Sequence, residues 1–253
     1  MNPLEISLSL SGGGIRAAAH IGAIKFLEEQ NIKITAVSGS SAGAIVGLCL
    51  ANGLKSDEML RFLKDLEAKE LFVLNYKKGG FFSMRKLEVK LKEFIKVRDF
   101  SELKIPFWVC VTNINSGEHE YINHGNPVDY VIASSTITPL FEAKKIGDEC
   151  YIDGGFSDNL PVRPLKHYPQ KILAININPI VGSTPDTFKS LLIRSILIVI
   201  RSNSIPSKRL ADAYLEIEGV AKMNIFNFKE IDNAYQSGYE EMKSKWSELK
   251  KNL

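Results

Sequence analysis

A turn of five small residues, Gly39-Ser40-Ser41-Ala42-Gly43, does most to restrict the fold of this chain. It lies between a β-rich run, 34–37, and an apolar helical pattern, 44–51. A strand that passes directly into a helix needs small residues beside the turn, and Gly39 and Gly43 allow the two segments to approach closely. The pattern matches G-x-S-x-G and predicts a strained Ser41 at a helix N-terminus, where the helix dipole favours negative charge. We interpret Ser41 as a nucleophile; the alternative is a turn that only packs a helix on a sheet.

A second glycine turn, Gly12-Gly13-Gly14, follows the predicted strand 6–10 and opens the predicted helix 15–30. Neighbouring parallel strands would place both turns at the same edge of the sheet. Glycine backbone N–H groups there can donate to an oxyanion without obstruction by side chains. A dinucleotide site is the competing interpretation, because Gly12, Gly14 and Ala17 fit G-x-G-x-x-A. It is disfavoured, since Val37-Ser38-Gly39 supplies no acidic residue at the end of the second strand.

A serine nucleophile needs a base, and Asp153 is the strongest candidate. It follows the predicted strand 150–152 and precedes Gly154 and Gly155, so it should lie at a strand end without bulky neighbours. From spacing alone, an ordinary Asp-Gly turn is an equal alternative. We expect surface or core roles for the four histidines: His20, His119, His124 and His167.

Short apolar runs alternate with helical patterns along the chain, which predicts an α/β fold with a largely parallel sheet. No linker or repeat interrupts the pattern, so we expect a single domain over residues 1–253. Asn115-Ser116-Gly117 predicts a hairpin between strands 107–114 and 118–122. Another buried strand is predicted at 172–177, and Ser56 is predicted to cap a helix. The remaining predicted helices are 56–68, 87–96, 188–200 and 232–249.

Composition excludes several classes of protein. The chain has 253 residues, 45% of them hydrophobic, and 32 basic against 29 acidic residues give a net charge of +3. This balance argues against a dedicated nucleic-acid binder. Three cysteines without a CxxC or Cys/His cluster indicate no disulfide framework and no metal site, and favour a reducing compartment. The longest apolar run, 191–200, is too short to span a bilayer, and no signal peptide is visible. We therefore expect a cytoplasmic protein.

Three motifs in this order resemble those of the patatin-like phospholipases: Gly12-Gly13-Gly14-Ile15-Arg16, the elbow around Ser41, and Asp153-Gly154-Gly155. The resemblance covers roughly residues 6–163, and Asp158-Asn159-Leu160-Pro161 also looks like the family. It implies a three-layer α/β sandwich with a mostly parallel central sheet and helices on both faces. It also implies a Ser–Asp dyad of Ser41 and Asp153 instead of a triad.

The resemblance further implies hydrolysis of acyl esters in phospholipids or lysophospholipids, without a cofactor or metal. Ser41 would attack the ester carbonyl while Asp153 takes its proton, and the 12–14 turn would stabilise the oxyanion. Arg16 would belong to the same oxyanion hole, where it would hold that turn or meet a phosphate. Two alternatives stay open: a carboxylesterase for small esters, and a non-catalytic lipid- or nucleotide-binding module on the same fold.

A lipid substrate implies transient contact with a membrane surface, and residues 77–86 combine basic and aromatic side chains around a glycine pair. This segment is either a lid or membrane-contact loop, or a loop whose Phe81 and Phe82 pack into the core. The sequence does not predict an oligomeric state, and we expect no nucleic-acid partner.

Overall fold

Buried apolar strands build a mostly parallel sheet at the centre of the protein. The computed structural model describes residues 3–66, 73–74, 80–180, 182 and 185–253. Its strands are β1 (Glu5–Leu10), β2 (Lys33–Ser40), β3 (Val73–Leu74), β4 (Phe82–Ser83), β5 (Phe107–Asn113), β6 (His119–Ile122), β7 (Lys144–Ile146), β8 (Glu149–Asp153), β9 (Lys171–Asn176) and β10 (Ala213–Glu216). The main sheet has the order β10-β9-β1-β2-β5-β8-β7, with β6 also paired to β5. The five strands from β10 to β5 are parallel, and β6, β7 and β8 pair antiparallel.

Alternating side chains divide the interior between the two faces of the sheet. On β9, Leu173 and Ile175 join the large core, whereas Ile172 and Ala174 join a smaller core on the opposite face. The smaller core is covered by the segment that leads into a 3-10 helix, Arg163–His167. The described helices are α1 (Ala18–Glu29), α2 (Ala42–Ala51), α3 (Ser56–Lys64), α4 (Arg85–Ile95), α5 (Pro127–Ser134), α6 (Phe188–Leu210) and α7 (Ile231–Leu249). The predicted fold class, a layered α/β fold around a mostly parallel sheet, is confirmed.

Several predicted boundaries differ from the structure. Strand β2 continues to Ser40, so the turn into α2 consists of Ser41 alone. The predicted helix 15–30 begins as a 3-10 turn, Gly14–Ala17, and becomes α-helical at Ala18. Ser56 does not cap α3 as predicted. Instead, the hydroxyl of Ser56 donates to Glu28 Oε2 at 2.6 Å.

Helix α6 is longer than predicted and extends through Pro206 to Leu210. The second half of α6 is polar and has too few regularly spaced apolar residues to predict a helix. It packs against the protein through Ile200, Ser204 and Ser207, which are buried. Five short elements, α5, β3, β4, β7 and β10, were not predicted. The start of α5 did carry a signal, because Asn126 before Pro127 is a common N-cap sequence, and Asn126 Oδ1 accepts the Val128 N–H at 3.0 Å.

Strand β5 brings two other strands end to end. Val109 and Cys110 pair with β2 on one side and with β6 on the other, whereas Val111 and Thr112 pair with β8 and β6. Because β6 occupies one edge of β5 throughout, β2 and β8 must share the opposite edge. Cys110 pairs with Ser40 and Val111 with Asp153, so the carboxyl ends of β2 and β8 meet there.

Helices α1 and α7 cross at backbone contact. A Cβ atom on Gly238 would lie 2.7 Å from the Cα of Ala19, and one on Gly22 would lie 2.8 Å from the backbone N of Tyr239. Side chains at these two positions would force the helices apart. This crossing holds the C-terminal helix directly behind the helix that follows the first glycine turn.

We predict that Gly238→Ala lowers the free energy of unfolding by about 2 kcal/mol, because overpacking at the crossing exceeds the gain in helix propensity. Urea unfolding measures the change. Gln236→Ala, on the exposed side of α7, is the control and should change stability by less than about 0.5 kcal/mol. Equal stability of both variants would contradict the close crossing.

Candidate active site

Ser41 occupies a strained turn between β2 and α2. Its backbone has φ 52° and ψ −130°, a left-handed conformation that residues with side chains rarely adopt. The flanking glycines are required by space: a Cβ on Gly39 would lie 2.5 Å from Gly43 O, and one on Gly43 would lie 2.6 Å from Leu10 O. The structure therefore has the strand–serine–helix geometry that the G-x-S-x-G pattern predicts.

Asp153 lies next to this serine. Ser41 Oγ donates a hydrogen bond to Asp153 Oδ2 at 2.6 Å, and Asp153 Oδ1 accepts the backbone N–H of Gly155 at 2.8 Å. Gly154 makes the approach possible, because a Cβ there would lie 2.7 Å from both the Ser40 hydroxyl oxygen and the Cys110 carbonyl carbon. The meeting of the β2 and β8 ends thus places the hydroxyl and the carboxyl in direct contact.

Burial changes the acidity of this carboxyl group. Asp153 is 2% exposed. Burial raises its pKa from 3.8 to about 7, against the hydrogen bonds from Ser41 and Gly155, which favour the ionised form. A carboxylate with such a pKa is a far better proton acceptor near neutral pH than an ordinary aspartate.

Ser134 at the end of α5 fixes the backbone of the nucleophile turn. Its hydroxyl oxygen accepts the Ser41 N–H at 2.8 Å and its proton is donated to the Cys110 carbonyl at 2.6 Å. Sequence reasoning missed this residue, because its partners are distant in the chain. The Asn126-Pro127 cap of α5 was the local signal that would have pointed to it.

The first glycine turn lies against Ser41, but not all of its amides are available. The Gly12 N–H already donates to Asn159, to the side-chain oxygen at 3.1 Å and the backbone oxygen at 3.3 Å. This corrects the prediction that Gly12 is an oxyanion donor. In the described part of the chain, the N–H groups of Gly13 and Gly14 have no acceptor. They are the remaining candidates in this turn.

Three buried polar side chains hold the glycine turn in place. Asn159 binds the Gly12 amide, and Asn178 Nδ2 donates to the Gly12 carbonyl at 2.5 Å. Burial lowers the pKa of His20 to about 4, so the neutral ring donates from Nε2 to Ser11 O at 2.8 Å. The core role expected for His20 is therefore correct, whereas the positioning roles of Asn159 and Asn178 were not predicted.

The Arg16 side chain binds backbone carbonyl groups near residue 222. Its guanidinium donates to the carbonyl oxygens of Met223, at 2.7 and 3.0 Å, and Ala221, at 3.1 Å. Burial, and secondarily repulsion from Arg194, lowers its pKa to about 10, so it stays charged at neutral pH. Of the two predicted roles, the structure shows that Arg16 holds the turn. Its assignment to the oxyanion hole is corrected, because its side chain binds carbonyl groups of the C-terminal segment.

An apolar cavity opens beside Ser41 and runs between α2, α3 and α4. The glycine turn forms one of its walls. The others consist of aliphatic and aromatic side chains that include Ile45, Val46, Met59, Phe62, Leu63, Leu87, Phe141 and Phe226. Among the described residues that line the cavity, Ser41 and Ser135 are the only ones with a hydroxyl group. Its chemistry suits a hydrocarbon chain whose polar end lies at Ser41.

Other candidate groups lie elsewhere. His20 is the one histidine near the glycine turn, and none of the four histidines hydrogen-bonds to Ser41 Oγ or Asp153. Within the described residues, no three His, Cys, Asp or Glu side chains are grouped as metal ligands. Of the predicted 77–86 loop, residues 77–79 lie outside the described residues. The ring centroids of Phe82 and Phe141 are 6.3 Å apart, so Phe82 packs against the core, while Phe81 is exposed.

Comparison with known proteins identifies the family. The family model described as patatin-like phospholipase matches residues 8–166, more than half of the chain. This chain belongs to the patatin-like phospholipases. The match includes both glycine turns, Ser41 and Asp153, so the resemblance inferred from the motifs is confirmed.

Curated relatives of this patatin-like protein are longer. An uncharacterized NTE family protein of Mycobacterium bovis is 29% identical over 165 residues, which are 64% of this chain and 45% of that protein. Lysophospholipase NTE1 of Mycosarcoma maydis is 28% identical over 200 residues, 73% of this chain and 10% of that protein. The chain thus spans less than half the length of these relatives.

The fold is shared with a solved structure. The crystal structure of VipD from Legionella pneumophila has a TM-score of 0.65 and 15% identity, over 98% of this chain and 67% of that one. Its similarity supports the α/β architecture. In the part of the patatin-like chain that the structure describes, every helix is too short or too polar to cross a bilayer.

We predict that Asp153→Asn stabilises the protein more at high pH than at low pH. The folded-state pKa of about 7 exceeds the ordinary 3.8, so the wild type loses stability as the pH rises between these values. From about pH 5 to about pH 8 the stability of the variant should improve relative to wild type by roughly 2–3 kcal/mol. Urea unfolding at each pH measures this difference.

Asp212→Asn is the control with the opposite sign. Although burial raises the pKa of Asp212, hydrogen bonds from the Ile172 N–H and Lys171 outweigh it and hold that pKa below 3.8. Its ionised form therefore stabilises the fold, so the variant should be less stable than wild type above about pH 4, by a difference that stays constant from about pH 5 to about pH 8. The same pH trend for both variants would contradict the burial effect at Asp153.

Proposed function

We propose that this chain is a serine lipid acyl hydrolase that cleaves fatty-acyl esters of phospholipids or lysophospholipids through a dyad of Ser41 and Asp153. One observation carries the proposal: the Ser41 hydroxyl donates to a buried carboxyl at 2.6 Å, beside an apolar cavity. Membership of the patatin-like phospholipases supports it. The name of the Mycosarcoma maydis relative, a lysophospholipase, supports the lysophospholipid option.

In the first step, Ser41 Oγ attacks the ester carbonyl carbon while its proton passes to Asp153 Oδ2. The carbonyl oxygen becomes an oxyanion, and the unpaired amides of Gly13 and Gly14 are the donors that we assign to it. Collapse of the tetrahedral intermediate breaks the bond to the alcohol, which leaves with the proton from Asp153. The acyl group then remains on Ser41.

In the second step, water attacks the acyl-enzyme. Asp153 takes a proton from the water as its oxygen bonds to the carbonyl carbon, and the same amides stabilise the second oxyanion. The intermediate releases the fatty acid, and Ser41 Oγ regains its proton from Asp153. A single carboxyl group therefore serves both steps, because its pKa near 7 lets it accept and return a proton at neutral pH.

The cavity favours a long acyl chain over a small ester. Its aliphatic and aromatic lining would bury methylene groups, each worth about 0.8 kcal/mol on transfer from water. A small ester would leave most of that surface without a partner. The hydroxyl–carboxyl pair also argues against the non-catalytic binding module. Burying the carboxyl group of Asp153 costs free energy, and an acyl chain makes no interaction with it that would offset this cost.

The proposed partners are a phospholipid or lysophospholipid substrate and, transiently, the membrane surface that contains it. The cytoplasmic location stays a prediction, supported by three cysteines that form no disulfide. The single-domain organisation and the absence of a nucleic-acid partner also stay predictions.

We predict that a fluorophosphonate probe forms one covalent adduct, detected by intact mass, and that Ser41→Ala abolishes it. Lipid hydrolysis by Ser41→Ala should fall at least about 10³-fold, and by Asp153→Asn at least about 10²-fold. Ser116→Ala, in the exposed hairpin turn, is the matched control and should keep both labelling and activity. No adduct on folded wild-type protein would exclude the enzyme and favour a binding module.

We also predict an acid limb near pH 7 in kcat/KM for a water-soluble ester. Asp153 must be ionised to accept the Ser41 proton, so the rate should fall about tenfold per pH unit below its pKa of about 7. Circular dichroism over the same range separates this effect from unfolding. A limb near the ordinary aspartate value, with the fold intact, would remove Asp153 from the role of base.

A further inference from the structure

The largest apolar side chains on the surface are concentrated on α6. Of the eleven large hydrophobic residues that are exposed in the described part of the chain, seven belong to this helix, and Phe188 at its start is 83% exposed. They are Phe188, Leu191, Leu192, Ile198, Val199, Ile205 and Leu210. Scattered exposed hydrophobic residues are normal, but a concentration on one element marks an interaction site.

These side chains form a continuous stripe along α6. Their spacing of three, four and seven residues places them on one face of a helix. The opposite face contains Ile200, Ser204 and Ser207, which are buried against the protein. The stripe therefore points outward, and no described element covers it.

The charge of α6 has one sign. Its 23 residues include five basic residues and no acidic residue, in a chain where the two charges nearly balance. Arg194, Arg201 and Lys208 recur every seven residues and form a row beside the apolar stripe. An apolar face bordered by basic side chains is the pattern of helices that lie in the surface of an anionic membrane.

Helix α6 is attached to the backbone of the candidate active site. Asn203 Nδ2 donates to the carbonyl oxygens of Gly155 at 3.2 Å and Phe156 at 2.6 Å. Gly155 in turn donates its N–H to Asp153. Helix α6 therefore packs directly against the turn that follows Asp153.

We propose that α6 is the membrane-docking surface of this protein and lies in the headgroup region of an anionic phospholipid bilayer. The stripe enters the acyl boundary, and the basic row faces the lipid phosphates. Interfacial binding of this kind needs a basic amphipathic helix and no membrane span, in agreement with the polar residues of α6. The proposal rests on the lipid hydrolase function above for its choice of partner.

A lipid surface fits α6 better than a second copy of this chain. In a symmetric dimer through the stripe, the basic row of one copy would lie close to the same row of its partner, and like charges repel. A bilayer with anionic lipids supplies opposite charge along the whole row. A bilayer can also bury an apolar stripe of any length, because it needs no complementary protein surface.

The test measures binding to vesicles in a Ser41→Ala background, in which the lipid is not consumed. Vesicles of phosphatidylcholine with phosphatidylglycerol are sedimented with the protein and compared with pure phosphatidylcholine vesicles. Leu191→Glu/Ile198→Glu changes two stripe residues that are 54% and 50% exposed. The control is Val89→Glu/Ile114→Glu, two apolar residues elsewhere on the surface that are 49% and 47% exposed.

We expect the stripe variant to lose at least about tenfold in partitioning to the mixed vesicles, and the control variant less than about twofold. Arg201→Gln/Arg209→Gln removes the charge of one residue of the basic row and of one further basic residue of α6. This variant should lose about tenfold on the mixed vesicles and little on pure phosphatidylcholine. With Ser41 restored, the stripe variant should hydrolyse a water-soluble ester as fast as wild type, which shows that the fold is intact.

Equal binding by the stripe and control variants would overturn the proposal. The proposal would also fail if Phe81→Glu abolished vesicle binding while the stripe variant still bound. It would fail as well if wild type bound no vesicles but formed a dimer in ultracentrifugation, and the stripe variant were monomeric. If vesicle binding depends on the stripe but the protein with Ser41 hydrolyses no ester, the docking surface is supported and the proposed hydrolase function is refuted. Normal ester hydrolysis with stripe-independent binding would refute the docking surface alone.

Discussion

The shared edge of β5 is the constraint on which the rest of the site depends. Strand β2 arrives parallel to β5 and β8 arrives antiparallel, and their carboxyl ends meet at Cys110 and Val111. A hydroxyl and a carboxyl that are 112 positions apart in the chain therefore become hydrogen-bond partners. Small residues are needed where the strand ends meet, which explains Gly154 between the Cys110 carbonyl and the Ser40 side chain.

Among the described residues, no cationic side chain is paired with Asp153, the candidate base. Asp153 accepts hydrogen bonds from Ser41 and Gly155, whereas burial acts against its ionised form more strongly than these bonds favour it. An arginine or lysine in contact would lower the pKa and weaken the base. The one buried arginine nearby, Arg16, is turned toward the carbonyl groups of residues 221 and 223.

Local patterns predicted the nucleophile turn, the glycine turn and Asp153, because each depends on small residues at fixed spacing beside a strand end. The alternation of apolar runs likewise predicted the sheet and its hairpin. Sequence reasoning missed the roles of Ser134, Asn159 and Asn178, whose hydrogen-bond partners are distant in the chain. It also assigned Gly12 a free amide, since nothing local shows that Asn159 occupies it. Short elements such as β7 and β10 lack enough residues for a periodic pattern.

The ties of Arg16 and Asn178 have a consequence for the order in which the chain is made. Residues 8–166 contain the family match, yet the glycine turn is held by Asn178 and by carbonyl groups of Ala221 and Met223. A nascent chain that has emerged only as far as Asp153 contains Ser41 and Asp153 but lacks these supports. The glycine turn can therefore acquire its full set of hydrogen bonds only after the segment that contains Met223 has been synthesised.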